Sequence, residues 1–181
     1  MGVRKDTGFT LIELLVVMAI IGIVAAIAIP GLLRARQAGD EASALGSVRA
    51  IQNAQAAYAA TCARGGYAQN NADLAKSPGG SAPFIAPDLG LADQAGYGKS
   101  GYQIVVSDNL EAGNQDVTPA AATCNGSSAN ARANYFVAAD PIKRGQTGVR
   151  SFGSDRRATI YFSTTASVPN PIPAGFPGIL R

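Results

Sequence analysis

The polarity of the chain changes character once, near Pro30. From Leu14 to Ile29 every residue is apolar or Gly, and Phe9 to Ile12 extend the run to about 20 residues, with Glu13 as its single charge. As a helix rising roughly 1.5 Å per residue, such a run is long enough to cross a bilayer. A helix packed on a core keeps a polar face, and this one shows none. Beyond Pro30, Leu45, Val48, Ile51, Gln55 and Tyr58 recur at intervals of three and four, the helical period. Arg34, Arg36, Asp40, Glu41 and Arg49 fall on the side expected to face water, and Gly39 and Gly46 weaken the helix without stopping it. The pattern predicts one long kinked helix from Phe9 to near Cys62, whose second half alone has a stripe able to hold a head.

Residues 63 to 100 are rich in Gly, Ser, Asn and Pro and predict a long connection, with a short helix near Asn71 to Ala75. Three β-branched and aromatic stretches then predict strands at 102–107, 134–140 and 158–164. The tail "VPNPIPAGFPGIL" holds four prolines and is excluded as a central strand; it is expected to wrap the surface or an edge. The expected class is α+β, with the C-terminal half of the helix packed on an antiparallel sheet of three or more strands.

Composition narrows the chemistry. The 181 residues suffice for one ordinary domain plus an extra element. The net charge of +3 is small and no basic block occurs, which argues against sequence-specific nucleic-acid binding. No His is present, so imidazole metal sites and His-dependent triads are excluded. The two cysteines, Cys62 and Cys124, read as one disulfide if the chain is exported, and otherwise as two buried thiols. Such a bridge would add roughly 4 kcal/mol in the chain-entropy model.

The apolar run has three readings. A secretory signal peptide fits the charged start and the "AIA" at Ala26 to Ala28, but the run is long and holds Glu13. A plain membrane anchor with Arg4 and Lys5 on the cytoplasmic side fits the length but leaves the acid unexplained, except as a side chain snorkelling to the interface. A cut between Gly8 and Phe9 explains the acid. It frees a positive amine one helical turn from Glu13, and that amine, or a neighbouring copy's, can pair with the carboxylate.

"KDTGFTLIELLVVMAIIGIVAAIAIP" resembles the N-terminus of type IV pilins and of the pseudopilins of type II secretion systems: a short basic leader ending in Gly8, then Phe9, Glu13, Gly22 and Pro30. The resemblance covers about residues 4 to 30, with weaker architectural similarity to residue 62. It implies a pilin-like fold in three parts: a leader (1–8), a membrane and filament-core helix (9–30), and a head with the second half of the spine helix (31–181). It also implies cleavage after Gly8 and methylation of Phe9 by a prepilin peptidase, and pairing of Glu13 with the Phe9 amine of an adjacent subunit. Loosening of the helix between Gly22 and Pro30 is expected on the same grounds; the bland alternative is that Gly22 and Ala26 only permit close helix packing.

Further motifs are rejected or held lightly. "GYGKSG" at 96–101 satisfies G-x-G-x-x-G but precedes a strand, so it reads as a turn. Asp108, Asp116, Asp140 and Asp155 lack the ligand spacing of a calcium loop and read as solvated loop acids. "NGS" at 125–127 is a sequon and equally a turn. Tyr58, Tyr67 and Tyr97 read as core more readily than as exposed filament surface. No catalytic constellation, metal or cofactor is expected. The favoured function is a pilin that waits in a bacterial inner membrane as a single-pass protein with its N-terminus cytoplasmic. An assembly platform then draws it from the lipid into an extracellular helical homo-oligomer for adhesion, motility or DNA uptake. The alternatives are the major pseudopilin of a periplasmic secretion pseudopilus, or an anchored or secreted binding protein that does not polymerise.

Overall fold

The predicted spine is present as α1, Leu11–Thr61, in a computed structural model that describes residues 8–94 and 97–180. The basic part of the leader, with Arg4 and Lys5, and Gly96 of "GYGKSG" lie outside the described residues. The helix continues unbroken through Pro30. Two compact units divide at Arg36 and Gln37.

In the first unit α1 is exposed along nearly all its length, with Leu11 81% and Ile27 77% accessible. In the second unit one stripe is buried: Ala44, Val48, Ile51, Ala54 and Tyr58 enter the main core. They pack with Ile104, Val106, Val137, Ala139 and Phe152 from an antiparallel sheet.

That sheet has the order β1-β4-β5-β6, formed by Tyr102–Asp108 (β1), Tyr135–Pro141 (β4), Ser151–Asp155 (β5) and Tyr161–Ser163 (β6). A smaller pair joins Asp116–Thr118 (β2) to Ala131–Arg132 (β3). β1, β4 and β6 lie within or at the edge of the expected strands. The sequence pattern does not show β5, "SFGSD", because Gly, Ser and Asp disfavour strands. Its strand state comes from tertiary pairing on both sides, Ala139↔Phe152 with β4 and Phe152↔Phe162 with β6. A Cβ on Gly153 would lie 2.7 Å from the Val168 side chain, so glycine lets the tail lie flat over β5. The tail also reaches an edge, where the Phe162 N–H donates to Gly178 O (2.8 Å) and the Leu180 N–H to Ile160 O (2.9 Å). A Cβ on Gly178 would meet Phe162 O at 1.9 Å, so only glycine permits this approach.

The connection after α1 contains the expected helix α2 (Asn71–Ala75) and a further turn, α3 (Pro87–Gly90). Three buried polar side chains hold it. Gln55 donates to Ala68 O (2.7 Å) and accepts from the Ala68 N–H (2.9 Å). Asn71 donates to Leu89 O and Ile104 O and accepts from the Val106 N–H (2.6 Å), taking the place of a strand beside β1. Asp73 accepts from the Ser128 N–H (2.6 Å), Ser128 Oγ (3.0 Å) and the Ala129 N–H (3.2 Å). The Cys62–Cys124 disulfide, S–S 2.02 Å, closes the same region.

Glu41 is not on the wet face. Its carboxylate is buried and accepts from the Val149 N–H (2.8 Å), the Arg150 N–H (3.1 Å) and Arg150 Nε (2.7 Å). Gln37 Nε2 donates to Gly145 O (2.6 Å), so two helical turns clasp the loop between β4 and β5. Burial pushes the Glu41 carboxyl up, but the bonds from Val149 and Arg150 outweigh it and hold it below its ordinary value. Burial, with the Glu41 charge second, pushes the Tyr102 hydroxyl well up, so it stays a donor to Arg150 O (2.8 Å).

Replacing Gln55 by Leu leaves two buried backbone groups unpaired and is expected to cost about 2–4 kcal/mol, read by urea titration of the detergent-solubilised chain. The Glu41 clasp contributes fully above the ordinary carboxyl value of 4.5 and is lost as pH falls through the depressed folded value. The stability gap between the parent and Glu41→Gln is therefore expected to be constant near neutrality and to shrink below about pH 4; a gap that widens on acidification would refute the clasp.

Candidate functional site

The cleavage candidates Gly8 and Phe9 lie outside any regular element and are exposed, Phe9 by 85%. Thr10 follows and caps the start of α1 at Leu11. Its N–H (3.0 Å) and hydroxyl (2.7 Å) both donate to Glu13 Oε2, and the Glu13 N–H donates to Thr10 Oγ1 (3.3 Å). This reciprocal pair is a capping box, satisfying two of the backbone donors a helix start leaves open. Glu13 therefore has a local partner, Thr10, besides any amine it pairs with. The signal was readable as Thr-x-x-Glu ahead of an apolar run. Both bonds fall on Oε2, so among the described residues Oε1 accepts none.

Phe9, Ile12, Glu13, Val16 and Val17 line one open hollow of about 410 Å³. Phe9 and Glu13 thus lie on one side of the helix start. Gly22 and Pro30 lie farther along the same helix, both within its regular part. Among the described residues one helix is long and apolar enough to cross a membrane, and its apolar window is wholly unburied.

Residues 3–29 match the family described as the prokaryotic N-terminal methylation motif. The N-terminal segment is therefore similar to those of proteins that carry this motif. The chain is 42% identical over 55 residues to type II secretion system core protein G of Vibrio cholerae, covering 30% of this chain and 38% of that protein. Core protein G of Aeromonas hydrophila is 36% identical over the same length and shares. The type IV major pilin protein PilA of Myxococcus xanthus is 43% identical over 54 residues, 30% of this chain and 24% of that protein. The chain thus spans well under half the length of these relatives. No solved structure matches it significantly.

The head does not gather its loop acids. Asp108 and Asp116 meet through Arg132, Asp155 pairs with Arg157 (2.7 Å), and Asp140 lies in β4 opposite Gln103. Asp155 is buried and is not the solvated loop acid expected. Among the described residues no group of three or more His, Cys, Asp or Glu comes together. Asn125 of the sequon is buried and donates to Asp73 O (2.7 Å) and Lys76 O (3.2 Å), which fits a turn and leaves its amide engaged. Tyr58 is fully buried, Tyr67 half-buried and Tyr97 exposed.

Thr10→Val removes the cap while leaving Glu13 in place. It is expected to cost about 1 kcal/mol and to speed amide exchange near Ile12 and Glu13 about fivefold in detergent; unchanged exchange would mean that the cap contributes nothing.

Proposed function

We propose that the chain is a structural subunit, not an enzyme, that polymerises from the bacterial inner membrane into a type IV pilus. The observation that carries this reading is Phe9 and Glu13 on one exposed face, immediately after Gly8, at the head of an uncovered apolar helix. Residues 1–8 act as a leader, 9–30 as the membrane and filament-core helix, and 31–181 as the head. A prepilin peptidase cuts between Gly8 and Phe9 and methylates the new amine. Thr10 and its cap lie beyond the cut, so Oε2 stays engaged and Oε1 is left to receive the Phe9 amine of an adjacent subunit. That contact fixes the axial register of helices that otherwise offer only uniform apolar surface. Each subunit uses one patch to meet a different patch on the next, an arrangement that grows into a fibre when it does not close. Before assembly lipid covers the helix, and afterwards neighbouring helices do. Gly22 costs a helix about 1 kcal/mol and Pro30 lacks the N–H that would bond residue 26, so this stretch loosens most readily on packing.

A second reading, the major pseudopilin of a type II secretion system, draws on the same segment, because the relatives divide between the two kinds. The disulfide within the head favours the pilin.

The mature N-terminal peptide is expected to begin at Phe9 and to carry one methyl group by mass spectrometry; a start at Ile29 would make the run an ordinary signal peptide. Glu13→Ala is expected to remain processed and membrane-resident but to form no filaments, and normal filaments from it would defeat the pairing. Electron microscopy separates the two readings: filaments beyond the cell surface support a pilus, and filaments confined to the periplasm support the pseudopilin.

A further inference from the structure

The charges that bound the apolar run point to a partner at its C-terminal end. The twenty residues Leu14–Leu33 carry no charge. As a helix they span about 30 Å, the thickness of a bilayer's hydrocarbon core. Glu13 closes this span at one end, and Arg34 and Arg36 close it at the other. Both arginines are exposed, and among the described residues neither takes part in an ion pair. Two positions apart on a helix, their side chains diverge by about 200°. They therefore cannot grip one anion together, and each must meet its own. A single acidic protein surface would engage one side of the helix. Anions distributed all round a helix at this depth are lipid headgroups. The leader's Arg4 and Lys5 leave with the proposed cleavage, so Arg34 and Arg36 become the basic side chains nearest the span.

We propose that Arg34 and Arg36 bind anionic phospholipid headgroups in the leaflet at the C-terminal end of the span, holding the subunit at a fixed depth before assembly. This rests on the reading that the first part of α1 crosses the membrane. Arginine suits the task because its methylene stem lies along apolar surface while the guanidinium presents several donors to a phosphate.

The chain contains no Trp, so Leu33→Trp supplies a single reporter beside the pair. The full-length Leu33→Trp protein is reconstituted in mixed phosphatidylcholine and phosphatidylglycerol vesicles, with one lipid or the other brominated in its acyl chains. The relative quenching gives the relative affinity of the two lipids at the helix. Phosphatidylglycerol is expected to be favoured about fivefold per arginine at low salt. The preference is expected to fall toward parity in high salt and in Arg34→Gln/Arg36→Gln, and to survive in Arg34→Lys/Arg36→Lys. Equal quenching by the two lipids in the Leu33→Trp parent, or a preference retained in the Gln variant, overturns the lipid assignment while leaving the span intact. Retained preference together with blocked assembly in the Gln variant would assign the arginines to acids of a neighbouring subunit. Absence of quenching by either lipid would place the segment outside the bilayer and overturn both this proposal and the membrane part of the proposed function.

Discussion

The constraint on which this chain depends is an apolar surface that its own fold leaves uncovered. Some twenty consecutive residues of α1 present Leu, Ile, Val and Met on every side of the helix. Apolar area left in water costs about 25 cal/mol per Å², so a surface of this size demands a cover. Lipid and a bundle of like helices are both suitable covers, and neither requires a specific contact. Specificity must then come from the few groups that are not apolar, and these sit at the ends of the run: Thr10 and Glu13 at one end, Arg34 and Arg36 at the other.

The head solves a different problem. Much of it is irregular backbone, whose N–H and C=O groups need partners once they are buried. Gln55, Asn71, Asp73 and Asn125 supply them, each bonding main-chain atoms far away in sequence. The disulfide sits among them, where the end of the spine meets the loop before β3. Side-chain amides and one carboxylate thus do for this region what strand ladders do elsewhere. The exchange has a consequence for tolerance: an apolar substitution at these sites strands backbone groups, while most surface changes nearby strand none.

Legibility followed the range of the interactions. The spine, α2 and the outer strands were readable because periodicity and β-branched content act locally. β5 was not, since nothing in "SFGSD" announces a strand until β4 and β6 lie on either side. Glu41 was misplaced for a similar reason. An acid on a helix turn reads as wet, and only the loop at Val149 and Arg150, more than a hundred positions on, makes it a clasp. At the N-terminus the nearest polar neighbour of Glu13 is Thr10. Thr10 and Glu13 form a local motif, and the carboxylate that was to await a distant amine already holds one oxygen on its own helix.

The margins of the sheet carry one more implication. Beside β1 stands the Asn71 amide, and beside β6 lies the tail at Gly178 to Leu180. Among the described residues, neither flank offers a long run of free backbone donors and acceptors. Strand addition at an open edge is one route by which crowded β-proteins stick to one another without control. If copies pack at high density, as the proposed filament requires, closed flanks leave uncontrolled cross-β growth without a template. Ordered association is then left to the helix.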